Sequence, residues 1–254
     1  MDITAILCQE FHLKKQQCEN VLKLIDDGNT IPFIARYRKE AHGSLDDEQL
    51  RNLNERLTYL RNLEEKKAQV IASIEEQGKL TEELKKQIEQ AQTQVVVDDL
   101  YRPYRPKRRT RATIAKEKGL EPLADIIFEQ AASESVETLA MDYVSEEKEI
   151  APPEDAISGA KDIIAEIISD NADYRIYIRN ITMQEGLLIS NAKDEKEKSV
   201  YEMYYEFAEL VHKLPSHRIL AINRGETEEF LKVKIEKPED KILDLINRDI
   251  IKQK

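Results

Sequence analysis

The sequence predicts a mainly α-helical protein, an elongated assembly of several helices, some of them long, with one small β-hairpin near residues 218–235. Apolar residues recur at helical spacing through most of the chain. The 254 residues include only 7 Gly and 8 Pro, whereas a sandwich or barrel needs many turns. A chain of this length exceeds the usual size of one core, so we expect one elongated domain or two small ones.

The first apolar residues fall into two helical groups. Their members are Ile3, Ile6, Leu7 and Phe11, followed by Val21, Leu22, Leu24 and Ile25. Gly28-Asn29 ends the second group, as flexible residues at a helix C-terminus do. A short helix should follow, with Thr30 or Ile31 as its cap and Pro32 in its first turn. Gly43-Ser44 then interrupts the pattern.

The longest helical signal runs from Asp46 to Gln77. Its apolar stripe recurs at spacings of three and four residues and consists of Leu50, Leu53, Leu57, Leu60, Val70, Ile71 and Ile74. About 32 residues at 1.5 Å each give a rod of roughly 48 Å, a length that suits an antiparallel hairpin or a spine. Gly78 ends this helix. Thr81 then starts another, with two acidic residues placed favourably against its dipole.

The character of the chain changes abruptly between Tyr101 and Arg111. This stretch holds six cationic side chains, two prolines and no acidic residue. Two prolines three residues apart cannot both lie inside a helix, so we expect an extended, exposed loop. Helices should resume near residues 112–118, 122–130 and 136–143.

The sequence Ala151-Pro152-Pro153 divides the chain into two predicted regions. Residues 1–150 form a helical region with the long helix and the basic loop, and residues 151–254 form a second helical region with the hairpin. A strong apolar face predicts a helix from Glu154 to Ser169. A further helix should follow over 174–183, then a charged loop over 192–199 and an aromatic-rich helix over 201–212.

The β signal lies near the C-terminus. Residues 230–235 alternate with period two, since Leu231, Val233 and Ile235 are separated by Lys232 and Lys234. The apolar run 218–223 precedes them, and Gly225 supplies a turn between the two runs. This pattern predicts a hairpin.

No catalytic constellation is present in the sequence. None of the four histidines has metal-pair spacing with a companion acid, and no Gly-rich phosphate loop or GxSxG turn occurs. Asp98-Asp99 is the one paired acid beside the basic loop, and we interpret it as an ion-pair partner that steadies this loop. We therefore predict that the chain is not an enzyme and has no metal site and no cofactor.

The composition indicates a cytoplasmic address and no membrane partner. No run of about 18 apolar residues exists, and the N-terminus lacks the features of a secretory signal. Cys8 and Cys18 do not form a zinc pattern, and we interpret them as small buried hydrophobes. The net charge of −11 argues against nucleic-acid binding. Charges beyond a Debye length of about 8–10 Å are largely screened, however, so the local distribution decides.

The basic loop carries the strongest functional signal. Arginine forks fit phosphate oxygens bidentately, and Tyr101 and Tyr104 offer flat faces for stacking unpaired bases. The candidate nucleic-acid-binding residues are Arg102, Tyr104, Arg105, Lys107, Arg108, Arg109 and Arg111. The alternative is that these cations pair with acidic helices of this chain or seat the loop against a neighbouring domain.

A second, smaller basic group consists of Arg36, Arg38 and Lys39. We add these three residues to the candidates for nucleic-acid binding. On a helix Arg36 can pair with Glu40, which favours an intramolecular function for this group.

The same segments resemble the N-terminal region of the bacterial Tex family of transcription accessory proteins. The matching segments are residues 30–40 (TIPFIARYRKE), 43–46, 73–81, 99–104, 107–111, 119–124 and 215–226 (PSHRILAINRGE). They follow the family order across nearly the whole chain, and the motifs are long. The resemblance extends more distantly to a eukaryotic transcription-elongation factor.

This resemblance implies a helical region with a helix-turn-helix-like part and a nucleic-acid-binding function in transcription. In the family this region precedes an RNase H-like domain, a helix-hairpin-helix segment and an OB-fold RNA-binding domain. By that comparison the chain stops at Lys254, before those domains. The implied partners are nucleic acid (RNA or single-stranded DNA rather than a specific duplex site), the transcription machinery and the later domains.

Three hypotheses follow. In the first, this module of a transcription accessory protein contacts nucleic acid through weak, sequence-independent phosphate contacts of the basic loop, and its affinity falls steeply with salt. In the second, it is a helical scaffold or protein-docking module with no direct nucleic-acid contact. A third hypothesis, hydrolase activity, has no residue constellation behind it.

Overall fold

A computed structural model describes residues 1–43, 45–106, 108–131 and 134–252. These residues form fourteen α-helices and one three-stranded antiparallel sheet, which confirms the mainly α class. The chain divides into two compact units, Met1–Tyr104 and the part from Arg105 onward. In the described part of the chain, no helix is both long enough and apolar enough to cross a bilayer.

The first unit is built around one long helix. Its helices are α1 (Ile3–Glu10), α2 (Lys15–Asp26), α3 (Ile31–Tyr37), α4 (Lys39–His42), α5 (Asp47–Glu76), α6 (Glu82–Gln90) and α7 (Gln94–Tyr101). Helix α5 starts with a capping box, because the Asp46 carboxylate accepts from the Gln49 amide at 2.7 Å and the Gln49 side chain accepts from the Asp46 amide at 3.1 Å. The predicted long helix is therefore confirmed to within one residue at each end.

Helix α5 contributes to all three apolar clusters of the first unit. Leu50 and Leu53 pack with α2 and α3, and Leu57 and Leu60 pack with α1 and α2. The C-terminal half of α5 packs with α6 and α7 through Leu63, Val70 and Ile74. The apolar stripe of α5, with its period of 3.6 residues, thus makes this helix the spine of the first unit, one of the two arrangements that its length suited.

The two cysteines lie in α1 and α2 and are free thiols. Cys18 is fully buried, as interpreted from the sequence, whereas Cys8 is half-buried. Burial, together with the adjacent Cys8 thiol, raises the pKa of Cys18 to about 12. A thiol with such a pKa stays protonated near neutral pH, so Cys18 acts as an apolar core residue.

The second unit contains seven helices and the sheet. Its elements are α8 (Arg111–Glu117), α9 (Glu121–Glu129), α10 (Val136–Met141), α11 (Pro153–Asp170), α12 (Ala172–Glu185), β1 (Leu187–Ala192), β2 (Glu206–Leu210), α13 (Ser216–Thr227), β3 (Leu231–Glu236) and α14 (Glu239–Ile250). One apolar cluster joins α8, α9 and α10 to α11, and a second joins the sheet to α13.

The boundary between the units differs from the predicted one at residue 150. Ala112 of α8, Leu123 of α9 and Ile163 of α11 are buried in one cluster that also includes Ile150. The helices before and after the proline pair therefore share a core. Pro152 and Pro153 end one local pattern and start α11, but they do not separate two hydrophobic cores.

The predicted hairpin over 218–235 is wrong in its first half. Residues 218–223 lie inside helix α13, and only β3 is a strand. β3 pairs with β1, so that Ser190 lies opposite Val233, and the strand order is β2-β1-β3. A short apolar run does not distinguish a helix from a strand by periodicity alone, which explains the error.

The predicted aromatic helix over 201–212 is also wrong. Residues Glu202–Tyr204 form a single 3-10 turn, and Glu206–Leu210 form the edge strand β2. Tyr201 and Tyr204 are buried against the sheet and α13. Their spacing of three residues suits a 3-10 turn as well as an α-helix, so the aromatic spacing was ambiguous.

Gly225 lies inside α13 rather than in a turn. A Cβ atom built there would lie 2.6 Å from Leu231 Cδ1 and 3.1 Å from Tyr201 Cδ1. The absence of a side chain therefore lets α13 approach β3 closely. Gly225 therefore allows close packing of α13 on β3 and does not form a turn.

We expect Gly225→Ala to destabilise the chain by about 1 kcal/mol. Overpacking a full core costs about 1–3 kcal/mol, and the higher helix propensity of alanine returns up to about 1 kcal/mol. Chemical denaturation followed by circular dichroism measures the difference. The matched control is Asn223→Ala, an exposed position of the same helix, which should be neutral or slightly stabilising. Equal stability of the two variants would contradict the close-packing explanation.

Candidate nucleic-acid interface

The basic stretch 101–111 is partly helical rather than a single extended loop. Helix α7 ends at Tyr101, and Arg102–Tyr104 form a 3-10 turn. Arg105 begins the second unit, and α8 starts at Arg111. Pro103 lies in the 3-10 turn, where a missing amide donor costs little. Lys107, one of the sequence candidates, lies outside the described residues.

The two tyrosines of this stretch are anchored to the first unit. The Tyr101 hydroxyl lies 2.9 Å from Ser73 Oγ, and the Gln77 side chain donates to the Tyr104 carbonyl oxygen at 3.0 Å. Both rings are half-buried and pack against the cluster of α5, α6 and α7. Their faces therefore have less room for stacking bases than the sequence suggested.

Some of the basic side chains already have acidic partners. Arg109 forms an ion pair with Glu117 at 2.9 Å, and Arg111 lies 3.6 Å from Asp162. Arg102 has an interaction partner as well. The Arg111 side chain is 87% exposed, and exposed pairs of this kind contribute at most about 1 kcal/mol. Such weak pairs leave Arg109 and Arg111 able to exchange a carboxylate for a phosphate.

Arg105 and Arg108 differ from these neighbours. Both side chains are exposed. Within residues 1–43, 45–106, 108–131 and 134–252, neither arginine forms an ion pair. They are therefore the cations of this stretch that project into solvent without a counter-charge from the described chain.

Of the two acids beside the stretch, Asp98 pairs away from the basic loop. Asp98 pairs with Lys66 of α5 at 2.7 Å. Asp99 is 2% exposed and has an interaction partner. Asp98 therefore connects α7 to α5. No group of three or more His, Cys, Asp or Glu side chains in the described ranges could hold a metal ion.

The second basic group lies at the junction of α3 and α4. The expected Arg36–Glu40 pair is not formed, because the helix is interrupted at Arg38, whose φ and ψ are −127° and 36°. Arg38 lies 3.9 Å from Glu40 and stacks over the Phe33 ring at 5.5 Å. Arg36 and Lys39 are exposed and have no ion pair within the described part of the chain.

A cavity of about 590 Å³ opens beside these cations, within the first unit. Arg36, Lys39 and His42 line it, together with Arg51, which pairs with Asp47 at 2.7 Å. His42 is 2% exposed. Neither ring nitrogen of His42 has a hydrogen-bond partner among the described residues, and an unsatisfied buried polar group costs about 1–3 kcal/mol.

An exposed aromatic pair adjoins this group and was missed in the sequence. Phe33 and Tyr37 stand one helical turn apart on α3, with ring centroids 5.3 Å apart. Tyr37 is 63% exposed and Phe33 is 36% exposed. Their i,i+4 spacing was readable from the sequence, but it could equally have indicated a buried face.

Two family models match the chain. The model of the Tex-like protein N-terminal domain matches residues 1–75, and the Tex central region-like model matches residues 131–253. Each matched region contains one of the long motifs that resemble the Tex family, residues 30–40 in the first and 215–226 in the second.

Three relatives illustrate the similarity. The chain is 49% identical to protein YdcI of Bacillus subtilis, over 100% of this chain and 36% of that protein. It is 44% identical to transcriptional accessory protein Tex of Neisseria gonorrhoeae, over 94% and 32%. It is 30% identical to human S1 RNA-binding domain-containing protein 1, over 92% and 24%. The chain thus spans about a third of the length of the bacterial relatives it matches.

Proposed function

This chain belongs to the Tex family, and from this premise we propose that it is the N-terminal helical module of a transcription accessory protein that binds nucleic acid. The contacts are weak, independent of sequence and made to phosphates by the stretch from Arg102 to Arg111. The observation that carries the proposal is the exposure of Arg105 and Arg108 without an ion pair in the described chain.

The chemistry of these arginines supports phosphate contact. A guanidinium stays protonated and presents donors that fit two phosphate oxygens at once. Each phosphate that is neutralised releases counterions, so the logarithm of the affinity falls linearly with the logarithm of salt concentration. The net charge of −11 repels a polyanion at long range, but screening confines most of that repulsion to about 8–10 Å. Weak binding at low salt is the expected balance.

RNA or single-stranded DNA is the preferred ligand class in this proposal, with the transcription machinery as a further partner. The names of two relatives support it, since one is a transcriptional accessory protein and another contains an S1 RNA-binding domain. We assign no catalytic step and no cofactor to this module. Its contribution is binding.

We expect the double variant Arg105→Glu/Arg108→Glu to lose about tenfold in affinity for a labelled oligonucleotide at low salt. Loss of two phosphate contacts should reduce the slope of log affinity against log salt by about 1.4–1.8. Fluorescence anisotropy with single-stranded and duplex oligonucleotides at several salt concentrations measures both quantities.

The control for this variant is Lys86→Glu/Lys237→Glu. Both lysines are exposed and have no ion pair in the described ranges, and the change in net charge is the same. If the control loses as much affinity as the loop variant, only the overall charge matters and the assignment to this stretch fails. If the unchanged chain shows no salt-dependent binding at all, the nucleic-acid proposal itself fails.

A docking function is the second candidate. Val200, Met203 and Leu220 are exposed by 84%, 73% and 69% in the second unit, and large exposed apolar side chains often mark a protein interface. Under this alternative, the loop variant should leave oligonucleotide binding unchanged. The triple variant Val200→Ser/Met203→Ser/Leu220→Ser should weaken association with the remaining domains of the family, supplied as a separate chain.

A further inference from the structure

Helix α3 exposes two aromatic rings because its other face is buried. Ile34 is fully buried against α2 and α5, and Ile31 and Ala35 pack beside it. Phe33 and Tyr37, four residues apart, share one side of this short helix and are both exposed. Tyr37, at 63% exposed, leaves much of a large apolar ring in water. The ring of Phe33 lies beside it, with the two centroids 5.3 Å apart.

One cation contacts this aromatic pair, and two more are close to it in sequence. The Arg38 guanidinium stacks on Phe33 with its carbon 5.5 Å from the ring centroid. Arg36 and Lys39 flank Tyr37 in sequence and line the cavity of the first unit, whose lining does not include the two rings. The nearby acids have partners of their own. Glu40 lies 3.9 Å from Arg38, Asp46 caps α5, and Asp47 pairs with Arg51.

The cavity is lined by three cations, Arg36, Lys39 and Arg51, against two acids, Asp46 and Asp47, an excess of one positive charge. Arg36 and Lys39 carry two positive charges without an ion pair in the described chain. The cavity between them, at about 590 Å³, is large enough for a phosphate with its hydration shell. His42 adds two buried ring nitrogens without partners among the described residues, and it borders the same cavity.

We propose that the surface formed by Phe33, Arg36 and Tyr37 of α3 and Lys39 of α4, called the α3 face, binds unpaired nucleotides of a single strand. A base stacks on the exposed ring of Tyr37, and the phosphate next to it contacts Arg36 and Lys39. Base–aromatic stacking tolerates any sequence because every base has a π face. A duplex hides the faces of its bases, so this site discriminates single strands from duplexes.

This inference deepens the proposed function and rests on it, since it adds a separate contact that accounts for a preference for unpaired strands. The stretch from Arg102 to Arg111 contacts phosphates, which occur in single strands and duplexes alike. The α3 face binds a base only when the base is unpaired, because a paired base cannot stack on Tyr37. Charge reversal at Arg105 and Arg108 and removal of the Tyr37 ring should therefore have different effects on the two ligands.

The test uses the absence of tryptophan from this chain. Tyr37→Trp places a single fluorophore on the α3 face. An unlabelled single-stranded oligonucleotide should quench its emission, because a stacked base quenches indole, whereas a blunt duplex should not. Met203→Trp, at a position 73% exposed in the second unit, is the matched reporter and should stay unquenched.

Affinity provides the second readout. Tyr37→Leu keeps an apolar side chain but removes the π face, and we expect about tenfold weaker binding of single strands with unchanged binding of duplexes. Tyr37→Phe should restore wild-type affinity. Circular dichroism of each variant shows whether the fold is kept, and α3 buries Ile34 rather than Tyr37, so these exposed substitutions should not unfold the unit.

The outcomes separate the two proposals. If Tyr37→Leu binds single strands as well as the wild type and the emission of Tyr37→Trp is not quenched, while Arg105→Glu/Arg108→Glu still weakens binding, the α3 inference is overturned and the proposed function stands. Quenching of Tyr37→Trp with no effect of the loop variant supports the α3 site and removes the loop contact. If no oligonucleotide binds the wild type, both proposals are rejected.

Discussion

Replacing Leu60 with alanine should lower the free energy of unfolding by about 3–5 kcal/mol. Leu60 is 1% exposed and lies in the cluster that joins α5 to α1 and α2. Leucine-to-alanine changes at buried sites cost about 2–5 kcal/mol, because the lost transfer free energy adds to that of the remaining cavity. The upper part of this range applies because α5 is held by clusters on both sides of Leu60 and cannot collapse easily into the space.

Urea denaturation followed by helical circular dichroism measures this loss. Asn62→Ala, at an exposed position of the same helix, is the control and should change the stability by less than about 0.5 kcal/mol. A small effect of Leu60→Ala would mean that the clusters of the first unit do not depend on α5 as their common element. The spine interpretation would then be incorrect.

The sequence predicted α5 well because its signal is long and redundant. Apolar residues recur with helical period over 30 residues, and a capping box and a terminal glycine mark the two ends. Over such a length no strand pattern competes with the helical one. The short helix α3, with Pro32 in its first turn, was predicted for a similar reason, since proline at the start of a helix is a specific signal.

The sheet was difficult to predict because its strands take their partners from distant residues. β1 was not predicted, although Leu188 and Ser190 are buried between two neighbouring strands. Residues 218–223 have an apolar content that suits either structure, and the tertiary contact of Gly225 with Leu231 is invisible in a local window. Tertiary packing overrides local pattern in such short elements.

The sequence predicted which residues belong to the candidate interface, but not which of them are paired or exposed. The sequence identified the cations, yet only the structure shows that Arg109 faces Glu117 whereas Arg105 and Arg108 face none of the described acids. Whether a side chain is exposed likewise depends on the tertiary packing around it. Tyr104, chosen for stacking, is half-buried, while Tyr37, which was not chosen, is 63% exposed.

A buried ionic network in α5 leads to the second large effect. Lys67 is 4% exposed, donates to the Glu89 carbonyl oxygen at 2.8 Å and pairs with Glu64 at 2.9 Å. Glu64 also accepts from the Met1 amino group at 2.9 Å. We expect Glu64→Gln to destabilise the chain by about 3 kcal/mol, because it leaves the buried ammonium of Lys67 without a counter-charge. The lower end of the usual range applies because Glu64 keeps 32% of its side chain exposed.

The same network gives a pH dependence with a defined sign. Burial acts to raise the pKa of Glu64, but hydrogen bonds from the Met1 amino group and Lys67 more than offset it, so the pKa lies below its ordinary value. A carboxyl group with a lowered folded-state pKa stabilises the fold above its unfolded pKa of about 4.3, and this contribution is lost as the pH falls through the folded value. The difference in stability between wild type and Glu64→Gln should therefore shrink below about pH 4.

Thermal or urea denaturation at pH 7 and near pH 3 compares the two proteins, with Glu65→Gln as the control. Glu65 is exposed and adjacent in sequence, so its replacement should have little effect at either pH. If the cost of Glu64→Gln stayed constant down to pH 3, the carboxylate charge would not be what compensates Lys67. The destabilisation would then have to come from altered packing of the amide, because packing does not titrate in this range.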